Sequence, residues 1–281
     1  MKLASFSTLQ GITYGAVTDS GVIDLGRRLG RDYADLKALI AGDGVKTAVT
    51  HLAAAPDYAL SDITWLPVIP NPGKIVCVGL NYQEHIAETG RDNTEQPSLF
   101  LRVAESQVGH RQAIVRPRES THLDFEAEIA IVIGLPGRRI AQADAWRYVA
   151  GYSCYNDGSV RDWQRHTTQW TAGKNFSRTG GFGPWLVTAD EIPPGTVLTL
   201  SSRLNGKEMQ RATTDQMIFK IPKLIEYISA FTSLLPGDVI VTGTPGGVGA
   251  RRTPPVWMKP GDTIEIEVDK VGVLQNSIVD G

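Results

Sequence analysis

Apolar residues recur along this chain in two rhythms. Residues 75–80 (IVCVGL) and 129–135 (IAIVIGL) are unbroken apolar runs of strand length, and they predict buried strands over 74–80 and 124–134. Elsewhere the spacing is helical. Leu36, Leu39 and Ile40 fall at i, i+3 and i+4, and Leu224, Ile225, Ile228, Phe231 and Leu235 predict an amphipathic helix over 222–235. Asn205-Gly206, between VLTLSSRL and KEMQ, is a hairpin signal. Two Pro-Gly-Asp turns, at 236–238 and 260–262, each lead into a run rich in β-branched residues. Strands dominate without a βαβ rhythm, so the expected fold is mixed α+β and predominantly β.

The first 66 residues read as a small unit of their own, with Gly11, Gly15 and Gly21 punctuating short β-type runs before the first helical stretch. The segment LPVIPNPG at 66–73 carries three prolines in six residues, which suits neither a helix interior nor a central strand. The expected organisation is a small N-terminal α/β domain over 1–66, a linker over 67–73 and a catalytic domain over 74–281.

Composition narrows the function. The 281 residues are 42% hydrophobic, enough for a core and against a disordered chain. Charges nearly cancel, 28 Lys+Arg against 30 Asp+Glu, which argues against a general nucleic-acid binder. No apolar run approaches the length of a membrane span, and the N-terminal MKLASFSTLQGITYG lacks a continuous apolar targeting segment. Cys77 and Cys154 have no CxxC partner and read as buried, reduced thiols. A cytoplasmic protein is expected.

Four segments could carry chemistry. In LDFEAEIAIVIGL at 123–135, strand alternation puts Asp124, Glu126 and Glu128 on one face. Such a row is either solvated or, near the core, in need of a hard cation such as Mg²⁺, Mn²⁺ or Ca²⁺. In GLNYQEHIAE at 79–88, His85 and Glu88 are three apart. On a helix they share a face, as a general-base pair or a chance surface pair. Asp157, before Gly158 at a strand end, is a metal-ligand position or ordinary turn chemistry, and Arg161 could pair with a carboxylate. Lys174 opens a glycine-rich loop too apolar for a plain charged surface. HExxH, a His/Cys cluster for zinc and GxSxG are all missing, and the Gly-rich TGTPGGVG at 242–249 lacks the Gly-Lys-Ser/Thr of a phosphate loop.

Taken in order, GLNYxxHxxE at 79–88, DFExE at 124–128, ND at 156–157 followed by RDWQ, GK at 173–174, GPW at 183–185 and GDVIxTGTPxGVG from 237 resemble the fumarylacetoacetate hydrolase family. The resemblance covers roughly residues 70–281, and the N-terminal 66 residues resemble the variable small domain of bacterial members. It implies a β-roll catalytic domain holding one divalent metal through Glu126, Glu128 and Asp157, with Asp124 in a supporting position. Where some members have a fourth carboxylate, this chain has Val78. The resemblance also implies a catalytic set of His85, Glu88 and Lys174 and substrate contacts at Tyr82, Arg102, Gln164 and Thr244. Arg102 stands where members usually have lysine, which keeps the charge and changes its hydrogen-bond geometry.

The implied activity is metal-dependent C–C bond hydrolysis of a 2,4-diketo acid of acylpyruvate or fumarylpyruvate type, with His85 and Glu88 activating water. The alternatives are an oxaloacetate-type 2-oxo acid decarboxylase, an isomerase or hydratase of 2-oxo-dienoates, and last a member that binds metal without turnover. The expected partners are a small 2-oxo or 2,4-diketo acid and a second copy of the chain in a homodimer.

Overall fold

The computed structural model describes residues 1–90, 92 and 94–281. The fold is mixed α+β and predominantly β, built on one sheet of eleven strands and one of five. Across the larger sheet the order is Gly21–Asp24, Gly11–Thr18, Lys2–Thr8, Gly180–Thr188, Val149–Asn156, Ala127–Ile133, Val239–Val241, Ile75–Gly79 and Ser98–Arg102. Two short strands, Thr64–Trp65 and Gln107–Val108, attach to Lys2–Thr8 and Gly180–Thr188. The smaller sheet runs Lys207–Thr213, Thr199–Leu204, Thr263–Val268, Gly272–Asp280 and Ile114–Arg116.

The strand Ala127–Ile133 explains the apolar run that marks it. Ile129, Ile131 and Ile133 pack in one core with Leu200, Ile266 and Leu274 of the smaller sheet and Leu224, Ile225 and Ile228 of a helix. Ala130 and Val132 point the other way, into a second core with Leu36, Leu39 and Ile40. A strand covered on both faces loses its alternation and reads as continuously apolar.

The N-terminal strands extend the larger sheet, since Lys2–Thr8 pairs antiparallel with Gly180–Thr188. The proline-rich stretch after Trp65 forms no regular element, yet Val68 and Ile69 are buried in the second core. The hairpin at Asn205-Gly206 forms as expected, joining Thr199–Leu204 to Lys207–Thr213, and both turn residues have positive φ, 53° and 78°.

Two elements depart from expectation. The helix Ile221–Phe231 ends before Leu235. Leu224, Ile225 and Ile228 are buried as the spacing predicts, but Phe231 and Leu235 are exposed and Leu234 takes the core position. The strand expected over 124–134 is broken at Phe125-Glu126. Leu123–Asp124 pairs with Ser159–Val160 in a separate ribbon, and Ala127–Ile133 joins the large sheet. Asp124 itself makes the bend, its Oδ1 accepting the Phe125 N–H at 2.9 Å.

Candidate metal and catalytic site

The break in that strand sets the geometry of the acids. Glu126 sits in the bend, and Glu128 lies two residues on, opposite Tyr155. Asp157 follows the end of Val149–Asn156, its N–H donating to the Glu126 carbonyl at 3.0 Å. The antiparallel register therefore brings Asp157 beside the glutamates. One carboxylate oxygen from each of Glu126, Glu128 and Asp157 lies within 4.8 Å of the other two, and all three residues are buried.

Three buried carboxylates are costly unless countered. Lys174 Nζ bridges Glu126 and Asp157 at 2.6 Å each. Arg161 reaches Asp124 at 2.8 Å and Glu126 at 2.7 Å. Arg102 pairs with Asp157. Burial alone would raise the Glu126 carboxyl, but Arg161 and Lys174 outweigh it and hold it well below the ordinary range. The same acids keep Lys174 above its ordinary value in spite of its burial. Glu128 differs. Its contact is the Gly243 N–H, and among the described residues no cation pairs with it. Burial, then Asp157 and Glu126, push its carboxyl well up. Four acids, counting Asp124, thus face three cations, and the surplus lies on Glu128. An oxygen-only set with uncompensated negative charge fits a hard divalent cation.

Gly243 reaches Glu128 with φ at +100°, and a Cβ there would come within 2.7 Å of Asn81 Cβ and 3.0 Å of the Val78 carbonyl. That backbone approach requires glycine.

His85 lies on the short helix Gln83–Thr89 and is 7% exposed. Its Nδ1 is 2.7 Å from Glu88 Oε1, and Glu88 Oε2 also accepts the Gly247 N–H at 2.9 Å. With Glu88 accepting from Nδ1–H, Nε2 is the basic nitrogen. His85, Glu126, Glu128, Lys174, Gln164 and Thr244 all line one cavity of about 320 Å³, and Val78 gives it an apolar patch.

The structure corrects two expected substrate contacts. Arg102 does not line the cavity. Its side chain is fully buried behind Asp157, donating also to the Gly158 carbonyl at 3.0 Å and to Thr179 Oγ1 at 3.0 Å. It is a support for the acid, and the guanidinium fork gives it more partners than an ammonium could hold in one plane. Tyr82 is likewise buried and outside the cavity lining, with its backbone bridged to Met217.

Sequence reasoning missed Gln210. It is buried on the hairpin strand, donating to Thr244 Oγ1 at 2.8 Å and the Pro245 carbonyl at 3.0 Å, and accepting from the Ala127 N–H at 3.0 Å. One amide thus fixes both Thr244 and the backbone between the two glutamates. Its signal was slight: a polar residue at an inward-facing position of a hairpin. Asp124 also does more than add charge, since it accepts the N–H groups of Gly249 at 2.8 Å and Ala250 at 3.0 Å.

A mixed β fold with a buried triad of carboxylates, a lysine across two of them and a cavity lined by His85, Glu126 and Glu128 defines an acid-lined site whose donor set fits a cation. Residues 74–279 match the family described as Fumarylacetoacetate (FAA) hydrolase C-terminal. The chain belongs to the fumarylacetoacetate hydrolase family.

Among its relatives is the mitochondrial oxaloacetate tautomerase FAHD2A of Bos taurus, 42% identical over 226 residues, 80% of this chain and 72% of that protein. Among solved structures, the fumarylacetoacetate hydrolase of Exiguobacterium antarcticum superposes with a TM-score of 0.87 at 30% identity, covering 100% of both chains. The maleylpyruvate hydrolase of Sphingobium sp. SYK-6, in complex with manganese(II) and pyruvate, superposes with a TM-score of 0.81 at 29% identity, again over 100% of both chains. Among the described residues no helix is long and apolar enough to cross a membrane.

Proposed function

We propose that this chain is a divalent-metal-dependent tautomerase of oxaloacetate-type 2-oxo acids, interconverting keto and enol forms. The observation that carries this reading is the cavity lined by His85, whose Nδ1 is held by Glu88, and by Glu126 and Glu128 of the carboxylate triad. The oxaloacetate tautomerase at 42% identity favours the alternatives, which included oxaloacetate-type 2-oxo acids and isomerisation, over the acylpyruvate hydrolysis that the sequence resemblance first suggests.

The residues divide the work. Glu126, Glu128 and Asp157 would hold Mg²⁺, Mn²⁺ or Ca²⁺, which would supply Lewis-acid polarisation of the neighbouring oxygens of a 2-oxo acid. His85 Nε2 takes the proton from the carbon next to the keto group, a proton from solvent completes the enol at the oxygen, and ketonisation runs both transfers in reverse. Glu88 keeps the imidazole in the tautomer that leaves Nε2 basic and stabilises its protonated form. Lys174 holds Glu126 and Asp157 in place and adds positive charge where the enolate oxygen develops. Gln164 and Thr244 orient the substrate from the cavity wall. A cytoplasmic homodimer is the companion proposal, tested by sedimentation at micromolar concentration and by localising the tagged chain.

A second reading, C–C hydrolysis, is supported by the manganese and pyruvate complex of the Sphingobium maleylpyruvate hydrolase. Proton NMR in D₂O separates the two. On oxaloacetate the tautomerase exchanges the C3 protons much faster than buffer and releases no stoichiometric pyruvate. Pyruvate from a 2,4-diketo acid, with no acceleration of oxaloacetate exchange, would replace the tautomerase by the hydrolase.

A further inference from the structure

Besides His85, the cavity is lined by four basic side chains: Arg161, Arg165, Lys174 and Arg251. Arg161 is committed to Asp124 and Glu126, and Lys174 to Glu126 and Asp157. Arg251 is not committed to an acid among the described residues. Its side-chain contact is one long approach, Nη2 to the Thr89 carbonyl at 3.5 Å, and the residue is exposed. Its neighbour Arg252 is the contrast. It spends its donors within the fold, on the Gly247 carbonyl at 3.1 Å and on the Met209 carbonyl.

The position of Arg251 is fixed by the catalytic groups. It ends the 3₁₀ turn Gly249–Arg251, whose first two N–H groups are held by Asp124. Just upstream, the Gly247 N–H is held by Glu88. A Cβ at Gly249 would meet the Val256 carbonyl at 1.9 Å and Asp124 Oδ1 at 2.6 Å, so the turn lies against its anchor as closely as a backbone can. The acid that balances Arg161 and the acid that orients His85 therefore also set where this guanidinium stands.

We propose that Arg251 binds the far carboxylate of a dicarboxylic 2-oxo acid, so that the site selects diacids over monoacids of the same length; the inference rests on the 2-oxo acid reading above. The 2-oxo carboxylate end belongs at the acid triad, where the cation-binding groups are. The second carboxylate of an oxaloacetate-type substrate needs a cation whose donors are not already used, and Arg251 offers a planar fork suited to it. A monoacid leaves that fork in water and gains nothing from it.

Calorimetry with the metal-replete protein tests this without turnover, using malate as a diacid probe and 2-hydroxybutanoate as its monoacid counterpart. Wild type should bind malate more tightly. Arg251→Gln should weaken malate about tenfold or more, the scale of a charge-assisted hydrogen bond, and leave 2-hydroxybutanoate within about a factor of two. Arg251→Lys should recover part of the loss. Equal binding of the two probes by wild type, or an unchanged ratio in Arg251→Gln, would overturn the inference. So would a loss of discrimination in Arg165→Gln with none in Arg251→Gln. A chain that prefers malate through Arg251 yet leaves oxaloacetate exchange at the buffer rate would sink the tautomerase reading alone.

Discussion

Lys174 stands 2.6 Å from both Glu126 and Asp157, which leaves Glu128 as the buried acid of the triad without a paired cation. The metal-free fold therefore carries its electrostatic strain at one carboxylate.

Glu128→Gln should relieve that strain. The metal-free variant should unfold at a higher denaturant concentration than metal-free wild type near pH 8. With metal at 100 times the wild-type Kd, wild type should gain about 2.7 kcal/mol and the variant far less. Urea titrations with EDTA and with Mn²⁺ check both halves.

His85→Ala should lower kcat for oxaloacetate exchange on the order of 10²–10⁴-fold, the usual share of general acid–base catalysis. Metal affinity should survive, because the imidazole is paired with Glu88 and is not in the acid triad. Glu88→Gln should follow the same pattern more mildly. Exchange rates by NMR, beside a Mn²⁺ titration of each variant, separate the two effects.

Asp124→Ala should destabilise the fold by about 1–3 kcal/mol, the cost of leaving buried donors without an acceptor. Arg161 would keep Glu126 alone, and the turn at Gly249–Arg251 would lose both of its anchors. Denaturant unfolding measures the loss. Hydrogen exchange at the Gly249 and Ala250 amides should rise with it.

Asp57 gives the N-terminal region a pH dependence of its own. Hydrogen bonds from Arg28 are the main cause that lowers its carboxyl, helped by the Asp24 N–H. A lowered folded pKa contributes stability above the unfolded value of about 3.9, and that stability is lost as pH falls through the folded value. Asp57→Asn should therefore be less stable than wild type at pH 7, and the difference should be smaller at pH 2.5. Urea midpoints at the two pH values test the sign.

Local patterns made much of this readable. The apolar run 129–133, the Asn205-Gly206 turn and the His85–Glu88 spacing each depend on neighbours in sequence, and each forms as expected. The three acids were legible as residue types because carboxylates beside a core-facing strand are unusual. Their spacing was not. The bend at Phe125-Glu126 arises from Asp124 pairing with a different ribbon, which alternation along one strand cannot foresee. Arg102 was placed at the substrate by the family resemblance, whereas its burial depends on Asp157 and Thr179, 55 and 77 residues further along the chain. Gln210 and Arg251 stayed unread for the same reason. Each gains its place from contacts across more than 80 residues of sequence, Gln210 with Ala127 and Arg251 with Thr89. The helix Ile221–Phe231 stopped short because Leu234, not Leu235, turns into the core.

The most direct test follows the decay of enol oxaloacetate by stopped-flow absorbance, using protein stripped with EDTA, the same protein restored with Mn²⁺, and Glu128→Gln with Mn²⁺. Restored wild type should accelerate ketonisation by orders of magnitude over buffer. The stripped protein and the variant should stay near the buffer rate. Stripped protein as fast as restored protein would contradict the metal-dependent tautomerase.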